Sequence, residues 1–412
     1  MTEMIIVGAG LAGLRAAEAA RKADPLARIT LVGDEPMAPY SRPPLSKAFL
    51  QDRWDFDRLL VRPMPWFDAA NIALLTGRAV THIDREAGQV VLQQGRPLAY
   101  DKLVLATGSR PRRLVGPDID HGCVQVLRTA QDAQAIRAEL ARAASLVVVG
   151  GGVIGLELAS SARAMGVQVT VLEAGARLMG RSVPMEISDW IGQLHGRHGV
   201  DVLYGIQITS IQRCDNALRV VTNAGVFMAD CVVAGVGVTP NTELATAAGL
   251  RVEDGIVVDE SGRTEDANVF AAGEVTRHFN PALNECVRVE SWQIADRQAA
   301  AAGSTAAGKP LVFDEIPWFW SDQYQTNLQV LGSFQRVTQV WRRPGASANS
   351  FTLLGLDGGE RLVGAVCVDS GREMSVLKRI LATRSPLDSA AVSDPAMPLR
   401  DILAACQAMA TP

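Results

Sequence analysis

The sequence predicts an α/β protein: two βαβ domains, each built on a parallel sheet, and a small α+β C-terminal domain. Three observations carry this. An apolar run breaks into spaced glycines at MIIVGAGLAGLRAA (residues 4–17), and the same device returns at SLVVVGGGVIGLELA (145–159). After about residue 311 the pattern changes to period-two strands with glycine turns, then to helix. A chain of 412 residues suggests two or three domains, and 48% apolar residues suffice for a core in each.

Taken in order, Met4–Val7 reads as a strand, Gly8-Ala9-Gly10-Leu11-Ala12-Gly13 as a turn, and the alanines and charges through about Lys22 as a helix. ARITLVGDE (27–35) is a second strand. The spacing Gly8-x-Gly10-x-x-Gly13 provides a tight turn, a backbone that a pyrophosphate can approach, and a helix packed close to its strand. An acid after the second strand, Asp34 or Glu35, is placed for ribose hydroxyls. A glycine turn alone is weak evidence, but strand, helix, second strand and acid together favour a dinucleotide.

The second copy repeats the test with strand Leu146–Val149, glycines Gly150, Gly152 and Gly155, an alanine-rich helix, and a strand VQVTVLE ending on Glu173. Two Rossmann-like dinucleotide-binding domains are therefore expected. Between the copies Tyr100–Arg112 reads as a buried strand leading to a small-residue turn, and Cys231–Asn241 repeats it. Both suit crossings between domains, and a third such element at Asn268–Val275 returns the chain to its first domain. The expected boundaries are residues 1–107 with 242–311, residues 108–241, and residues 312–412. The last of these holds EIPWFWSDQYQTNLQVLG, QVWRRPG and NSFTLLGLDGGERLVGAVCV, then a helical tail from Glu373 to Ala410. One fingerprint suits a dehydrogenase. Two in this order suit a flavoprotein that keeps FAD in the first fold and receives NAD(P)H in the second.

A formal net charge of −4, without long runs of one sign, gives no global attraction for nucleic acid or an anionic membrane. No basic segment with an apolar block precedes MIIVGAG, and no apolar stretch reaches the roughly 20 residues of a membrane span, so a cytoplasmic chain is expected. The six cysteines stand apart, with no C-x-x-C and no cysteine–histidine cluster for a metal, and read as buried free thiols. None of the five histidines sits in a nucleophile or metal arrangement.

At PYSRPPLSK (Pro39–Lys47) the pattern becomes specific. With GAGLAG before it, LATGSRPR and VVVGGGVIGLELA after it, and PWFWSDQ downstream, the chain closely resembles the FAD- and NADH-dependent ferredoxin reductases of bacterial oxygenase systems. These include the biphenyl dioxygenase and putidaredoxin reductases, and the likeness runs in order over essentially the whole chain. The resemblance implies a glutathione reductase-like fold, with an FAD domain interrupted by an NADH domain and closed by a C-terminal domain. It assigns Gly8, Gly10 and Gly13 to the FAD pyrophosphate, Asp34 to the adenosine ribose, and Arg42 and Lys47 to the flavin. Val80, Arg128 and Trp292 match positions that line FAD. The acid after AAG is usually aspartate in the family and meets the ribityl chain. Here it is Glu274, one methylene longer.

A lysine beside a flavin can stabilise its reduced, negative form and hold a partner acid, and Lys47 with Glu157 is the candidate pair. The bland reading is a snorkelling lysine and a solvated helix acid. Glu173 accepts from both ribose hydroxyls and repels a 2′-phosphate, which favours NADH, while Arg177 and Arg181 leave some room for NADPH. By resemblance Trp320 shields the hydride path near the nicotinamide, whereas Trp318 reads as core. The catalytic set is Lys47, Glu157 and Trp320, with no metal.

Disulfide reductases share the double fingerprint but need a thiol near the flavin. The first cysteine here is Cys123, and Lys47 stands where those thiols lie. Rubredoxin reductase differs in partner, and the apoptosis-inducing-factor type uses flavin and nicotinamide as an interaction switch. The function implied is electron transfer from NADH through FAD, one electron at a time, to a small acidic two-iron ferredoxin serving an aromatic-degrading dioxygenase or a haem monooxygenase. Arg263, Arg288, Arg297, Arg342 and Arg343 are candidates for the docking patch. A monomer is expected, because no shared disulfide site demands a dimer.

Overall fold

The computed structural model of the chain describes residues 1–116 and 118–410. It divides into two compact units. The first holds Met1–Arg42, Asp55–Arg110 and Val238–Pro317, and the second holds Pro43–Trp54, Pro111–Gly237 and the chain from Trp318 on.

In chain order, β1 (Glu3–Val7), α1 (Leu11–Ala23), β2 (Arg28–Val32), β3 (Ile72–Leu75) and β4 (Lys102–Leu105) come first. Next are β5 (Val124–Val126), α2 (Ala130–Leu140), β6 (Ser145–Val149), α3 (Val153–Ala164), β7 (Gln168–Leu172), α4 (Met185–Arg197), β8 (Val200–Leu203) and β9 (Cys231–Ala234). The chain then lays down β10 (Val269–Ala271) and α5 (Ala299–Ala306). It closes with β11 (Trp318–Gln323), β12 (Thr326–Gly332), β13 (Gln339–Pro344), β14 (Phe351–Leu356), β15 (Leu362–Val368), α6 (Met374–Thr383) and α7 (Leu399–Ala410).

In the first unit a parallel sheet runs β10-β4-β1-β2-β3, with Val7 level with both Val32 and Leu105. Its central strands are apolar at nearly every position because helices and loops cover both faces. On one side Met4, Ile6 and Leu14 pack with Ala16, Ala17 and Ala20 of α1 and with Ala299 and Ala302 of α5. The two helices approach through small residues: a Cβ on Gly303 would stand 2.1 Å from the Ala16 carbonyl oxygen. The crossing at Thr107 and Asn241 is tied within this unit. Thr107 Oγ1 donates to the Asn241 carbonyl at 2.7 Å, and Asn241 Nδ2 donates to the Thr107 carbonyl at 2.9 Å.

In the second unit the equivalent sheet runs β5-β9-β6-β7-β8, with Val149 level with Leu172 and Ala234. The antiparallel sheet β11-β12-β15-β14-β13 belongs to the same unit, because its apolar face is buried on the helices that follow the second glycine turn. Leu328, Val330, Phe351 and Val366 pack with Leu156 of α3 and Ile187 and Ile191 of α4. The Pro43–Trp54 segment joins through Leu50, buried among Ile136, Leu140, Leu158 and Ala162. The expected helical tail is broken into three, with a short helix at Ser389–Ser393 between α6 and α7. Arg384 adopts a left-handed backbone (φ 55°) after α6, and Pro386 on one side and Pro395 and Pro398 on the other confine the short helix to Ser389–Ser393 before α7 begins.

Candidate active site

Each glycine turn contains one glycine that the protein itself does not require. A Cβ on Gly8, whose φ is +112°, would stand 2.1 Å from the Ala106 carbonyl oxygen, and one on Gly13 would stand 1.9 Å from the Gly8 carbonyl oxygen. Around Gly10 nothing lies within 4 Å. The second turn repeats this: a Cβ on Gly150 would meet Gly235 at 2.6 Å and one on Gly155 would meet Gly150 at 2.2 Å, while Gly152 has only a carbonyl oxygen at 3.9 Å. The outer glycines are packing requirements, and the middle one opens backbone at a helix N-terminus, the form of a pyrophosphate cradle.

The acids beyond the two second strands are not equivalent. Glu173 directly follows β7, and its carboxylate accepts from the backbone N–H of Gly151 and of Gly175, each at 2.6 Å. In the first unit Gly33 holds the matching place, against the Ala9 side chain, so Asp34 lies one residue further along, exposed and accepting from the Glu35 N–H. Glu35 turns inward, where Arg42 Nη2 and Tyr40 Oη each donate to it at 2.6 Å. Arg42 also lies over the Tyr40 ring, 5.1 Å from its centroid.

Glu274 of the same unit accepts from Ser109 Oγ at 2.9 Å. The turn that carries it is held from below by buried Gln298, whose Oε1 accepts from the Gly273 N–H at 2.7 Å. Gln298 reaches that position from a π-turn over Ile294–Gln298, just beyond half-buried Trp292. Val80, also half-buried, opens the hairpin strand Val80–Asp84. Arg128 belongs to the second unit, immediately before the Thr129 cap of α2, and its backbone N–H donates to Asp132.

Lys47 and Glu157 meet within the second unit. Lys47 Nζ donates to Glu157 Oε1 at 2.8 Å, and the Glu157 side chain is 3% exposed. Ser46 Oγ donates to Oε2 at 2.5 Å and Ser321 Oγ to Oε1 at 2.8 Å, so a buried carboxylate with three donors faces one ammonium. Asp322 lies 3.8 Å from the same Nζ. The polar face of α3 continues through Ser161, whose hydroxyl donates to the Ser46 carbonyl at 2.7 Å and accepts from Gln51 at 2.8 Å. These bonds, with Leu50, fix the PPLSK segment on α3. Sequence reasoning missed Ser46, Ser321 and Gln323. The signal was present in WFWSDQ, where period two sends Phe319, Ser321 and Gln323 to one face, two of them polar in a strand that packs on a core.

Trp318, Trp320 and Asp322 take the opposite face of β11. The two indoles lie 5.7 Å apart and are half-buried, and Lys378 Nζ covers Trp318 at 3.9 Å, so Trp318 is not the core residue expected. Arg177 is spent on its own loop, donating to the carbonyls of Gly180 at 2.5 Å and Val183 at 2.6 Å, while Arg181 is exposed.

Two docking candidates fail. Arg343 is buried and donates to the carbonyls of Val392, Asp394, Pro395 and Met397, so it fastens the turn before α7. Arg288 is 10% exposed between Asp254 and Glu290. Arg297, Arg263 and Arg342 keep more surface. All six thiols are free, but Cys214 and Cys286 are exposed rather than buried. Among the described residues there is no cluster of metal-ligating side chains, and no helix is long and apolar enough to cross a membrane.

A profile of the pyridine nucleotide-disulphide oxidoreductase family matches residues 2–299, and a reductase C-terminal profile matches residues 318–403. The ferredoxin–NAD(+) reductase component of an anthranilate 1,2-dioxygenase system from Burkholderia cepacia is 44% identical over 405 residues, covering 97% of this chain and 98% of that protein. Rhodocoxin reductase from Rhodococcus erythropolis is 40% identical over 393 residues, covering 95% and 92%. The crystal structure of the covalent putidaredoxin reductase–putidaredoxin complex aligns with a TM-score of 0.93 at 36% identity, over 99% of both chains. The glutathione reductase-like fold implied by the sequence motifs is the fold observed. With the family profile across most of its length and relatives at this identity, the chain belongs to the pyridine nucleotide-disulphide oxidoreductase family.

Proposed function

We propose that the chain is an NADH-dependent flavoprotein reductase that passes electrons through FAD, one at a time, to a small acidic two-iron ferredoxin of a dioxygenase or haem monooxygenase system. The observation that carries this is the Lys47–Glu157 pair, an ammonium and a buried carboxylate in a fold with two open glycine cradles and no cysteine near residue 47. The relatives support the partner class: one is a ferredoxin–NAD(+) reductase component, another a rhodocoxin reductase, and putidaredoxin reductase was crystallised in covalent complex with putidaredoxin.

Gly10 at the N-terminus of α1, with Gly8, Gly13 and Asp34, would hold FAD, and Arg42, Lys47, Val80, Arg128, Glu274 and Trp292 would complete its lining. Gly150, Gly152, Gly155 and Glu173 would hold NADH. FAD, when bound, supplies the conversion between a two-electron donor and a one-electron acceptor. The chain's own residues do the rest. Lys47 brings a positive charge whose position Glu157 fixes, and the Trp320 indole excludes water from the hydride path. Glu173 presents its carboxylate where a 2′-phosphate would be repelled, and Ser109 braces the longer Glu274 side chain.

The test is anaerobic mixing of the purified yellow protein with NADH and an oxidised two-iron ferredoxin, with NADPH in parallel. Bleaching of the ferredoxin with NADH, and little with NADPH, is expected. Flavin that bleaches while every ferredoxin stays oxidised would move the chain to the interaction-switch class. Glu173→Ala should lower kcat/KM for NADH roughly ten-fold and erase the preference over NADPH, since it removes the ribose acceptor and frees two backbone donors of the cradle. Light scattering checks the monomer.

A further inference from the structure

Glu157 is also the end point of a second buried chain of polar groups, running from the β11–β12 turn. Ser321 Oγ stands 2.8 Å from Glu157 Oε1 and 3.0 Å from Gln323 Nε2. Gln323 Oε1 is 2.8 Å from His195 Nε2, and His195 Nδ1 is 3.1 Å from the Tyr324 hydroxyl. Ser321, Gln323 and His195 are all at most 3% exposed. Each link has one consistent direction. Oε1 is paired with an ammonium and offers only lone pairs, so Ser321 donates to it; Ser321 then accepts from the Gln323 amide. That orientation turns the Gln323 carbonyl to His195, whose Nε2 must carry the proton, leaving Nδ1 to accept from Tyr324.

The far end is built at a cost. Tyr324 adopts a left-handed backbone (φ 56°), rare for an aromatic residue, in the two-residue turn between β11 and β12. Its N–H donates to Ser160 Oγ at 2.6 Å, and its ring stacks on His198 with centroids 3.6 Å apart. Burial pushes His195 down to about 4, against the bond from Gln323 and with the help of His198, so the ring stays neutral, with one donor and one acceptor, above that pH. The charged or titratable groups facing the array are Lys47 and Asp322 at the Glu157 end, and His198 and Arg163 at the Tyr324 end.

We infer that Tyr324, His195, Gln323 and Ser321 form a positioning array whose hydrogen bonds all point at Glu157 and whose direction is set by the Glu157 carboxylate. The inference deepens the role proposed for Lys47 and Glu157 in NADH oxidation and rests on it. The four residues touch neither nucleotide in this scheme. They fix the rotamer of the acid that fixes the lysine.

Two measurements test it on the holoenzyme. In protein labelled with 15N-histidine, long-range nitrogen–proton correlations identify the His195 tautomer, with His195→Phe giving the assignment. The Nε2–H form is expected between pH 6 and 8, and Glu157→Leu, which removes the acceptor at the end of the array and frees Ser321 to turn, should mix or reverse it. A Nδ1–H form, or a tautomer unmoved by Glu157→Leu, overturns the array. In the second measurement Gln323→Leu should lower kcat for NADH-dependent dye reduction roughly ten-fold in the native background but by less than about two-fold when Glu157 is already glutamine. Equal loss in both backgrounds would mean a packing role and reject the inference. If Gln323→Leu does not fold, His195→Phe enters the same cycle. Protein that does not oxidise NADH at all would defeat the proposed function, while the tautomer result would still stand or fall by itself.

Discussion

Removal of Lys47 and removal of Glu157 leave different debts. Lys47→Met strands a carboxylate that is almost wholly buried, still facing two serine hydroxyls but no cation. Glu157→Gln leaves an ammonium that is 19% exposed with Asp322 at 3.8 Å. The lysine variant is expected to lose about 3 kcal/mol of stability and the glutamine variant about 1 kcal/mol, read from urea denaturation midpoints. The reverse order would mean that the serines alone satisfy the carboxylate. Both partners of this pair are legible in the sequence because each sits in a motif with a fixed place in the fold. Ser321, Gln323 and His195 are not: period two marks the first two as inward-facing, but nothing local says that His195, in a helix more than a hundred residues earlier, completes their hydrogen bonds. Buried polar chains are written in long-range contacts, and residue type alone is silent about them.

The glycine turns show how one element can serve packing and ligand with different residues. Gly13→Ala drives a methyl group into the Gly8 carbonyl, 1.9 Å away, where rigid backbone cannot yield, and should cost about 3 kcal/mol or prevent folding. Gly10→Ala meets nothing, and Gly10 has an extended backbone (φ −87°, ψ −169°) open to any residue. It should leave the apoprotein within about 0.5 kcal/mol of the parent, yet lower the ratio of flavin to protein absorbance on purification. The contrast repeats at Gly155 and Gly152, with NADH affinity as the second readout. Both βαβ copies are legible because strand, turn and helix are local patterns there. The C-terminal tail is less so: its apolar periodicity runs on, and its division into α6, the short Ser389–Ser393 helix and α7 turns on prolines at 386, 395 and 398 and on the left-handed Arg384. The ribose acids mislead in another way. One motif suggests one position, whereas strand register sets Asp34 one residue beyond the place of Glu173.

At the scale of the whole molecule, two buried histidines couple folding to pH. His195 and His278 are both held neutral by burial, each with its pKa pushed down to about 4. Unlike His195, which is fully bonded, His278 has no hydrogen-bond partner for either ring nitrogen among the described residues and lies edge-on to Phe313, with ring centroids 5.7 Å apart. Unfolding returns each imidazole to an ordinary value near 6.5, so between pH 6.5 and 4 the unfolded chain binds more protons than the folded one, and stability falls as the pH falls. Above that window neither ring contributes; below it both states are protonated and the loss is complete. The carboxylates held below their usual range, Asp120, Asp230 and Asp266, give up their contribution only at lower pH, which leaves this window to the histidines. His278→Phe keeps the aromatic contact and removes the titration. Its stability relative to the parent, from urea denaturation, should therefore rise by about 2 kcal/mol between pH 7.5 and pH 5. A gain that does not change with pH would show instead that His278 is hydrated in the folded protein and free to take up its proton there.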